Sequence, residues 1–340
     1  MSAWRQNPDS AAAELVRRSA GVLDLPGRVL IANAGPAVRA EVTGLGIAAD
    51  AWSRRAGEAE VPKPWPEGGP YDSVLLRLAK AKDEQVMGIH AALSVMAPGG
   101  RLMLFGGNDE GIKSASALLE PLCGAVETLS TVAHGRVLAA RKPDHVSGLR
   151  ATLSEWREEI SIALAGEARR WVVYPGVFSA AGLDEGTRAM LTALPTLGAG
   201  ARVLDYGCGT GVIAAAMRAH GRDLTLDMLD ADTVSLLAAT ENVPGARTIL
   251  GTALPAVGAT RYDAILSNPP LHSGVAEDHR MLERLVADAP KYLRRGGYLQ
   301  LVVQRRVPLE TLLGEHLSDA TIVAETGTYR VWRARALSRS

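Results

Sequence analysis

Residues 262–274, YDAILSNPPLHSG, bring an apolar run to a stop on an amide side chain and two prolines. Asn268 offers a side-chain oxygen and Pro269 a main-chain carbonyl. Proline has no N–H and a fixed φ, so that carbonyl is held still with no donor competing beside it. Two fixed acceptors aimed at one exocyclic NH2 group turn its nitrogen lone pair toward an electrophile. That is preorganisation for alkyl transfer to a planar, weakly basic nitrogen. A lone Asn-Pro reads as a turn; Ser267-Asn268-Pro269-Pro270 at the end of an apolar strand is a narrower pattern.

A second group with chemistry lies upstream. Residues 201–221, ARVLDYGCGTGVIAAAMRAHG, read strand, glycine loop, helix. Gly207, Gly209 and Gly211 are spaced G-x-G-x-G, whereas a dinucleotide fingerprint needs glycine where Val212 stands. Such a loop lets backbone approach a ligand closely at the C-terminal end of a strand. Asp205 ends that strand, where a carboxylate can meet an ammonium group. About 20 residues on, the spacing at which nucleoside-binding α/β folds place a ribose-binding acid, Asp230 ends the next strand. Asp227, within that strand, is the weaker candidate.

Both groups need strands that end on one edge of a sheet. Short apolar stretches alternate with helical ones, which predicts a parallel, doubly wound α/β sheet. Strands are expected near Val203–Asp205, Thr225–Leu229, Arg247–Leu250, Asp263–Ser267 and Tyr298–Val303, with a closing hairpin at Thr321–Glu325 and Tyr329–Ala334. The first half of the chain echoes this order. RVLIANAGPAV (28–38) matches RVLDYGCGTGV (202–212), YDSVLLRLAKAKD (71–83) matches YDAILSNPPLHSG, and ALSVMAPGGRLMLFGG (92–107) matches APKYLRRGGYLQLVVQ (289–304). Three matches in one order argue for a duplicated α/β unit. The first copy has Ile31, Asn33 and Ala37 for Asp205, Gly207 and Gly211, and Arg77-Leu78-Ala79 for Asn268-Pro269-Pro270. It keeps the strands and loses the chemistry. The expected division is a degenerate copy over 1–146, a linking helix over 147–166 and the active copy over 167–340.

Lys+Arg and Asp+Glu are both 37 in 340 residues, so a nucleic-acid partner would have to be met by a local basic patch. Two cysteines, Cys123 and Cys208, supply neither a disulfide framework nor zinc spacing and fit a reducing, cytoplasmic setting. No apolar run is long enough to cross a bilayer. Arginine pairs at 169–170, 294–295 and 305–306 read first as solvated faces. Arg330 and Arg333 on the closing hairpin are the better candidates for phosphate contact.

The sequence resembles the class I S-adenosyl-L-methionine (SAM)-dependent methyltransferases that act on nitrogen, and more closely the RsmC/RlmG type of ribosomal RNA guanine-N2 methyltransferase. The stretches PGVFSAAGLDEGTRAML, VLDYGCGTGVIAAA, SNPPLHSG, LRRGGYLQLVV and TGTYRVWRARA carry the resemblance. It implies two tandem Rossmann-like domains, the N-terminal one degenerate and serving RNA binding and stability. Asp205, Gly207 and Gly209 would hold the methionine part of the cofactor, with Cys208 and Gly211 completing the loop. Asp230 and Ala231 would meet the ribose, and Thr252 the adenine. Phe178, Asp184 and Thr187 come from the segment that packs over the cofactor. Asn268, Pro269 and Pro270 form the catalytic corner, and Leu271, His272, Arg330 and Arg333 would contact substrate. Leu271 stands where the family usually has an aromatic. The implied partner is ribosomal RNA or the small ribosomal subunit, the implied state a monomer. Two other readings stay open: methylation of a protein glutamine or small-molecule amine, and a non-catalytic RNA-binding factor.

Overall fold

The computed structural model describes residues 7–177, 182–221, 223–269 and 276–336. Two compact units result, Met1–Arg157 and Glu158–Ser340. In the first, strands β1 (Val29–Ala32), β2 (Ala49–Trp52), β3 (Tyr71–Arg77), β4 (Met96–Gly107), β5 (Val126–Val132) and β6 (Gly135–Arg141) form one sheet in the order β2-β1-β3-β4-β6-β5. Helices α1 (Pro8–Arg18), α2 (Pro36–Gly44), α3 (Lys82–Ser94) and α4 (Ser116–Cys123) accompany it. Alternate strand residues feed two cores: Leu30, Val74, Leu76, Leu102 and Leu104 on one face, Ile31, Leu75, Met103 and Phe105 on the other. Burial on both faces is why these strands read as continuous apolar runs.

The second unit opens on a hairpin of β7 (Glu158–Leu164) and β8 (Glu167–Val173). Its main sheet contains β9 (Arg202–Tyr206), β10 (Thr225–Asp230), β11 (Arg247–Leu250), β12 (Tyr262–Ser267), β13 (Leu293–Gln304), β14 (Ser318–Glu325) and β15 (Tyr329–Arg335), in the order β11-β10-β9-β12-β13-β15-β14. Helices α5 (Glu185–Leu191), α6 (Val212–His220), α7 (Thr233–Asn242), α8 (Ala276–Tyr292) and α9 (Leu309–His316) complete it. Leu204, Ile265, Leu299 and Leu301 pack with Leu282, Leu285 and Val286 of α8 in one core. Without β11, the strand order is that of the first unit, position for position. Among the described residues no helix is long and apolar enough to cross a membrane.

What the two copies share is the machinery of the fold. Asp72 Oδ2 accepts the Arg28 N–H at 2.8 Å, and Asp263 Oδ2 accepts the Arg202 N–H at 2.7 Å. The Tyr71 hydroxyl donates to Asp50 Oδ2 at 2.9 Å, and the Tyr262 hydroxyl to Asp227 Oδ2 at 2.8 Å. Arg28 and Arg202 donate to the same two aspartates. So the repeated Tyr-Asp dipeptide ties three neighbouring strands together. The Gly-Gly turns repeat as well: Gly99 and Gly296 sit at φ 74° and 75°. A Cβ on Gly100 would come within 2.8 Å of a carbonyl oxygen, and one on Gly297 within 2.9 Å.

What differs is the edge where the strands end. Asn33 keeps a left-handed φ of 53° and donates its N–H to Trp52 O at 2.8 Å, as Gly207, at φ 67°, does to Leu229 O at 2.8 Å. The backbone turn survives without its glycine. Around it the first unit pairs Arg77 with Glu110 at 3.2 Å and Arg55 with Glu84 at 2.8 Å, and the Ser53 hydroxyl donates to Glu58 at 2.6 Å. Arg54 is 2% exposed in the same cluster. Those side chains occupy the edge that stays open in the second copy.

The expected linking helix over 147–166 is absent. A short 3-10 turn, Leu153–Trp156, is followed directly by β7. The reason is legible afterwards: Ile160, Ile162 and Leu164 alternate with a period of two, and Ala165 and Gly166 take φ of 52° and 83°, which suits a tight hairpin turn. The break between units accordingly falls after Arg157, not at 146 or 167.

Candidate active site

The glycine loop and the Asn-Pro corner come together through sheet register. β12 pairs with β9 in parallel, with Ala264 opposite Val203, Ile265 opposite Leu204 and Leu266 opposite Asp205. Ser267, 0% exposed, donates its hydroxyl to Tyr206 O at 2.7 Å. The next residue on each strand is Asn268 on one and Gly207 on the other. The two groups predicted to do chemistry therefore leave the same edge of the sheet side by side.

The loop holds its shape through backbone bonds. Gly207 and Cys208 both donate to Leu229 O, at 2.8 and 3.0 Å, and Gly211 donates to Cys208 O at 2.8 Å. Gly207, Gly209 and Gly211 all have positive φ. Among the described residues a Cβ on Gly207 would meet nothing within 4 Å. A Cβ on Gly211 would meet Val243 at 2.9 Å and Met228 at 3.1 Å, so that glycine lets helix and sheet close up. The loop is also clamped from behind. Asn242 accepts the Val172 N–H at 2.7 Å and donates to Val172 O at 2.9 Å and Thr210 O at 3.1 Å. The Trp171 indole N–H donates to Thr210 Oγ1 at 3.0 Å. Asn242 has no sequence signature apart from its place near a helix end, where asparagine reads as a cap.

Asp205 is 1% exposed. Its Oδ2 accepts the Ala214 N–H of α6 at 3.0 Å, while Oδ1 is buried and has no hydrogen-bond partner among the described residues. Burial, aided by the nearby Asp230 charge, pushes its carboxyl up to about 7 against the single bond from Ala214. Asp230 accepts the Gly209 N–H at 2.8 Å on Oδ2 and the Asp232 N–H at 2.9 Å on Oδ1. An ionised carboxylate has about four lone-pair sites, so these bonds are compatible with ligand hydroxyls docking on it too. Cys208 is buried and its thiol donates weakly to Gly209 O; burial holds it well above the ordinary thiol range. It is a packing residue. Asp227 belongs to the buried knot with Arg202, Arg247 and Tyr262, away from this edge.

Ala231 and Thr252 line a cavity of about 530 Å³ with Tyr206, Met281 and Leu285. Tyr206 donates its hydroxyl to Thr252 O at 3.1 Å, and burial raises that phenol to about 12, so it stays a neutral donor. Arg280, Arg284 and Asp288 line the same cavity, so it offers polar groups beside apolar side chains.

Asn268 carries the geometry that matters most. Its Nδ2 donates to Thr187 Oγ1 at 3.0 Å and Asp184 Oδ1 at 3.2 Å. Asp184 caps α5, accepting the Thr187 N–H at 2.9 Å, and accepts the Thr187 hydroxyl on Oδ2 at 2.6 Å. The Thr187 hydroxyl proton is committed to Asp184. Asn268 Oδ1 receives no hydrogen bond from the described residues. It lies against Gly186, where a Cβ would stand 3.2 Å from it and 3.2 Å from the Tyr329 ring. Tyr329, half-buried beside this corner, was not singled out by its local pattern. Pro269 is buried behind Asn268. Phe178, Pro270, Leu271 and His272 lie outside the described residues.

The hairpin arginines are not delivered as loose cations. Arg333 donates to Gln300 Oε1 and Ala193 O, both at 2.8 Å, inside the packing between α5 and the sheet. Arg330 donates to Glu325 at 2.9 Å. Arg333 is half-buried, with these partners inside the unit.

Comparisons with known proteins agree with this geometry. Residues 169–333 match the family model "Methyltransferase small domain", and residues 47–159 match "Methyltransferase small domain N-terminal". Ribosomal RNA small subunit methyltransferase C of Shewanella oneidensis is 31% identical over 271 residues, 78% of each chain. That of Pseudomonas fluorescens is 33% identical over 272 residues, 78% of this chain and 79% of the other. The T. thermophilus 16S rRNA N2 G1207 methyltransferase (RsmC), solved in complex with AdoMet and guanosine, superposes with a TM-score of 0.83 at 22% identity, covering 97% of this chain and 92% of that one, and so shares its fold. A duplicated sheet, one open glycine-loop edge and relatives aligned across most of both units lead to one conclusion: the chain belongs to the ribosomal RNA small subunit methyltransferase C family of SAM-dependent methyltransferases.

Proposed function

We propose that the chain transfers the methyl group of SAM to the exocyclic N2 of a guanine in small-subunit ribosomal RNA, acting as a monomer in the cytoplasm, with its first unit serving RNA binding. The observation that supports this is the register that puts Asn268 next to Gly207, with the Asn268 nitrogen engaged and its oxygen accepting no hydrogen bond from the described residues. The names of the curated relatives supply ribosomal RNA as the substrate class, and the T. thermophilus protein supplies guanine N2. The free thiols of Cys123 and Cys208 fit a reducing compartment.

The residues fit the cofactor. The partnerless Oδ1 of Asp205 would be satisfied by its ammonium group, no described residue crowds Gly207, and the cavity beside Ala231 and Thr252 offers polar and apolar groups to an adenine. When bound, SAM supplies a methyl group made electrophilic by its sulfonium. Asn268 Oδ1 accepts one hydrogen of the guanine amine and the Pro269 carbonyl accepts the other, which turns the nitrogen lone pair toward that methyl. The N–C bond forms as the C–S bond breaks, and the surplus proton passes to water. The base has to leave its stack to reach a corner recessed at a sheet edge.

The test uses labelled cofactor and small ribosomal subunits from cells lacking the protein. Wild-type chain labels guanine N2. Asn268→Ala lowers the transfer rate about 10²–10³-fold, as loss of one preorganised polar group does, while cofactor affinity by calorimetry is unchanged. No labelling by wild type, or full-rate labelling by Asn268→Ala, defeats the proposal.

A further inference from the structure

We infer that Asp184 and Thr187 are positioning residues that fix which way the Asn268 side-chain amide faces, and so decide whether the corner can accept an amine. The inference rests on the proposed N-methyl transfer and adds to it the device that orients its acceptor. An asparagine amide is nearly symmetric in shape but opposite in chemistry at its two ends; only its surroundings can choose between them.

Here the choice is forced. Asp184 Oδ1 and Thr187 Oγ1 lie 3.2 and 3.0 Å from the Asn268 nitrogen. An ionised aspartate only accepts. The threonine hydroxyl could donate or accept, but its proton is held by Asp184 Oδ2 at 2.6 Å, so a lone pair faces Asn268. Asn268 therefore meets acceptors alone on this side, and only its nitrogen can turn toward them. Its oxygen lies beside Gly186 and the Tyr329 ring, where no described residue donates a hydrogen bond to it. Flipped over, the amide would set its oxygen against the Asp184 carboxylate and present a donor to the incoming amine. Two donors facing each other cannot orient a lone pair. Asp184 itself is held by its cap bond to the Thr187 N–H at 2.9 Å, so the arrangement comes from a helix start that the fold already requires.

The test separates orientation from stability. Asn is as good an N-cap as Asp, so Asp184→Asn keeps α5 capped. It places an NH2 group where Oδ2 was, which lets the Asn268 amide flip. Thr187→Val removes the hydroxyl at nearly constant shape, and Thr187→Ser keeps it. Single-turnover methyl transfer, cofactor affinity by calorimetry and thermal midpoint are measured for each. Expected are about hundredfold slower transfer in Asp184→Asn and Thr187→Val, the cost of misplacing a reacting group by an ångström or so, recovery in Thr187→Ser, and cofactor affinity within twofold throughout. If Asp184→Asn and Thr187→Val transfer at the wild-type rate while Asn268→Ala does not, the inference is wrong and the function stands. If Asn268→Ala transfers normally, the function and the inference fall together. Should Asp184→Asn unfold, the Thr187→Val and Thr187→Ser pair decides between the same outcomes.

Discussion

The Ser267 hydroxyl donates to the Tyr206 carbonyl at 2.7 Å across 61 residues of chain, and this one bond joins the ends of the two strands that carry the site. Ser267 is fully buried. Ser267→Ala leaves the Tyr206 carbonyl without that donor and is expected to cost about 1–2 kcal/mol of stability. Because Asn268 follows directly, methyl transfer should slow more than cofactor affinity weakens. Chemical denaturation and a kcat-against-Kd comparison check both.

The two end glycines of the loop are expected to respond differently. Gly211→Ala meets Val243 and Met228 and holds a residue at φ 86°, so it should cost about 2–4 kcal/mol through strain and overpacking together. Gly207→Ala meets no neighbour among the described residues and carries only its φ penalty, about 1–2 kcal/mol. Its methyl enters the ligand space, however, and cofactor affinity should fall while the fold survives. Thermal midpoints and calorimetry on the two variants distinguish the roles.

Asp205 predicts a pH dependence. Its folded-state pKa, about 7, lies above the unfolded value, so the folded chain keeps a proton that the unfolded chain releases. The stability this gives is present below the ordinary carboxylate range and is lost as pH rises toward 7. A cofactor ammonium needs the charged form. Cofactor affinity should therefore strengthen from pH 5.5 to about 7 and level off above it, and Asp205→Asn should bind weakly with no such step. A flat affinity profile in the wild type over that range would contradict the pairing.

The duplicated Arg-Asp-Tyr knot gives a comparison inside one molecule. The Asp227 side chain is fully buried between Arg202, Arg247 and Tyr262, whereas the Asp50 side chain is 53% exposed beside Arg28. Asp227→Ala leaves the buried Tyr262 hydroxyl without its acceptor, while Arg202 and Arg247 can turn to water, and should cost about 1–3 kcal/mol. Asp50→Ala should cost less than about 1 kcal/mol. Neither should change kcat of the protein that remains folded, because both lie away from the open edge.

How much was legible follows from how local each feature is. The strand positions rest on patterns within some dozen residues, and the sheet bears them out from β9 to β15; the duplication rests on comparing the two halves, and the common strand order of the two sheets agrees with it. The segment 147–166 departs from the expected helix because its short period-two run, Ile160, Ile162 and Leu164, pairs as a hairpin strand once Ala165 and Gly166 turn the chain. The internal partners of Arg333 and Thr187 lie far off in the chain or depend on side-chain packing, so no local pattern shows them.

By itself the sequence determined the doubly wound α/β class, the repeat, and which copy kept an acid, three glycines and an amide with its prolines; residue type and spacing suffice for these because backbone chemistry is local. The tertiary structure alone decided that Asn268 emerges beside Gly207, that Asp227 belongs to a knot and Asp230 to the loop, and that Asp184, 84 residues before Asn268, selects the face its amide presents. Those are relations between strand ends and side-chain donors far apart in the chain, and hydrogen-bond direction exists only once the sheet has brought them within about 3 Å of each other.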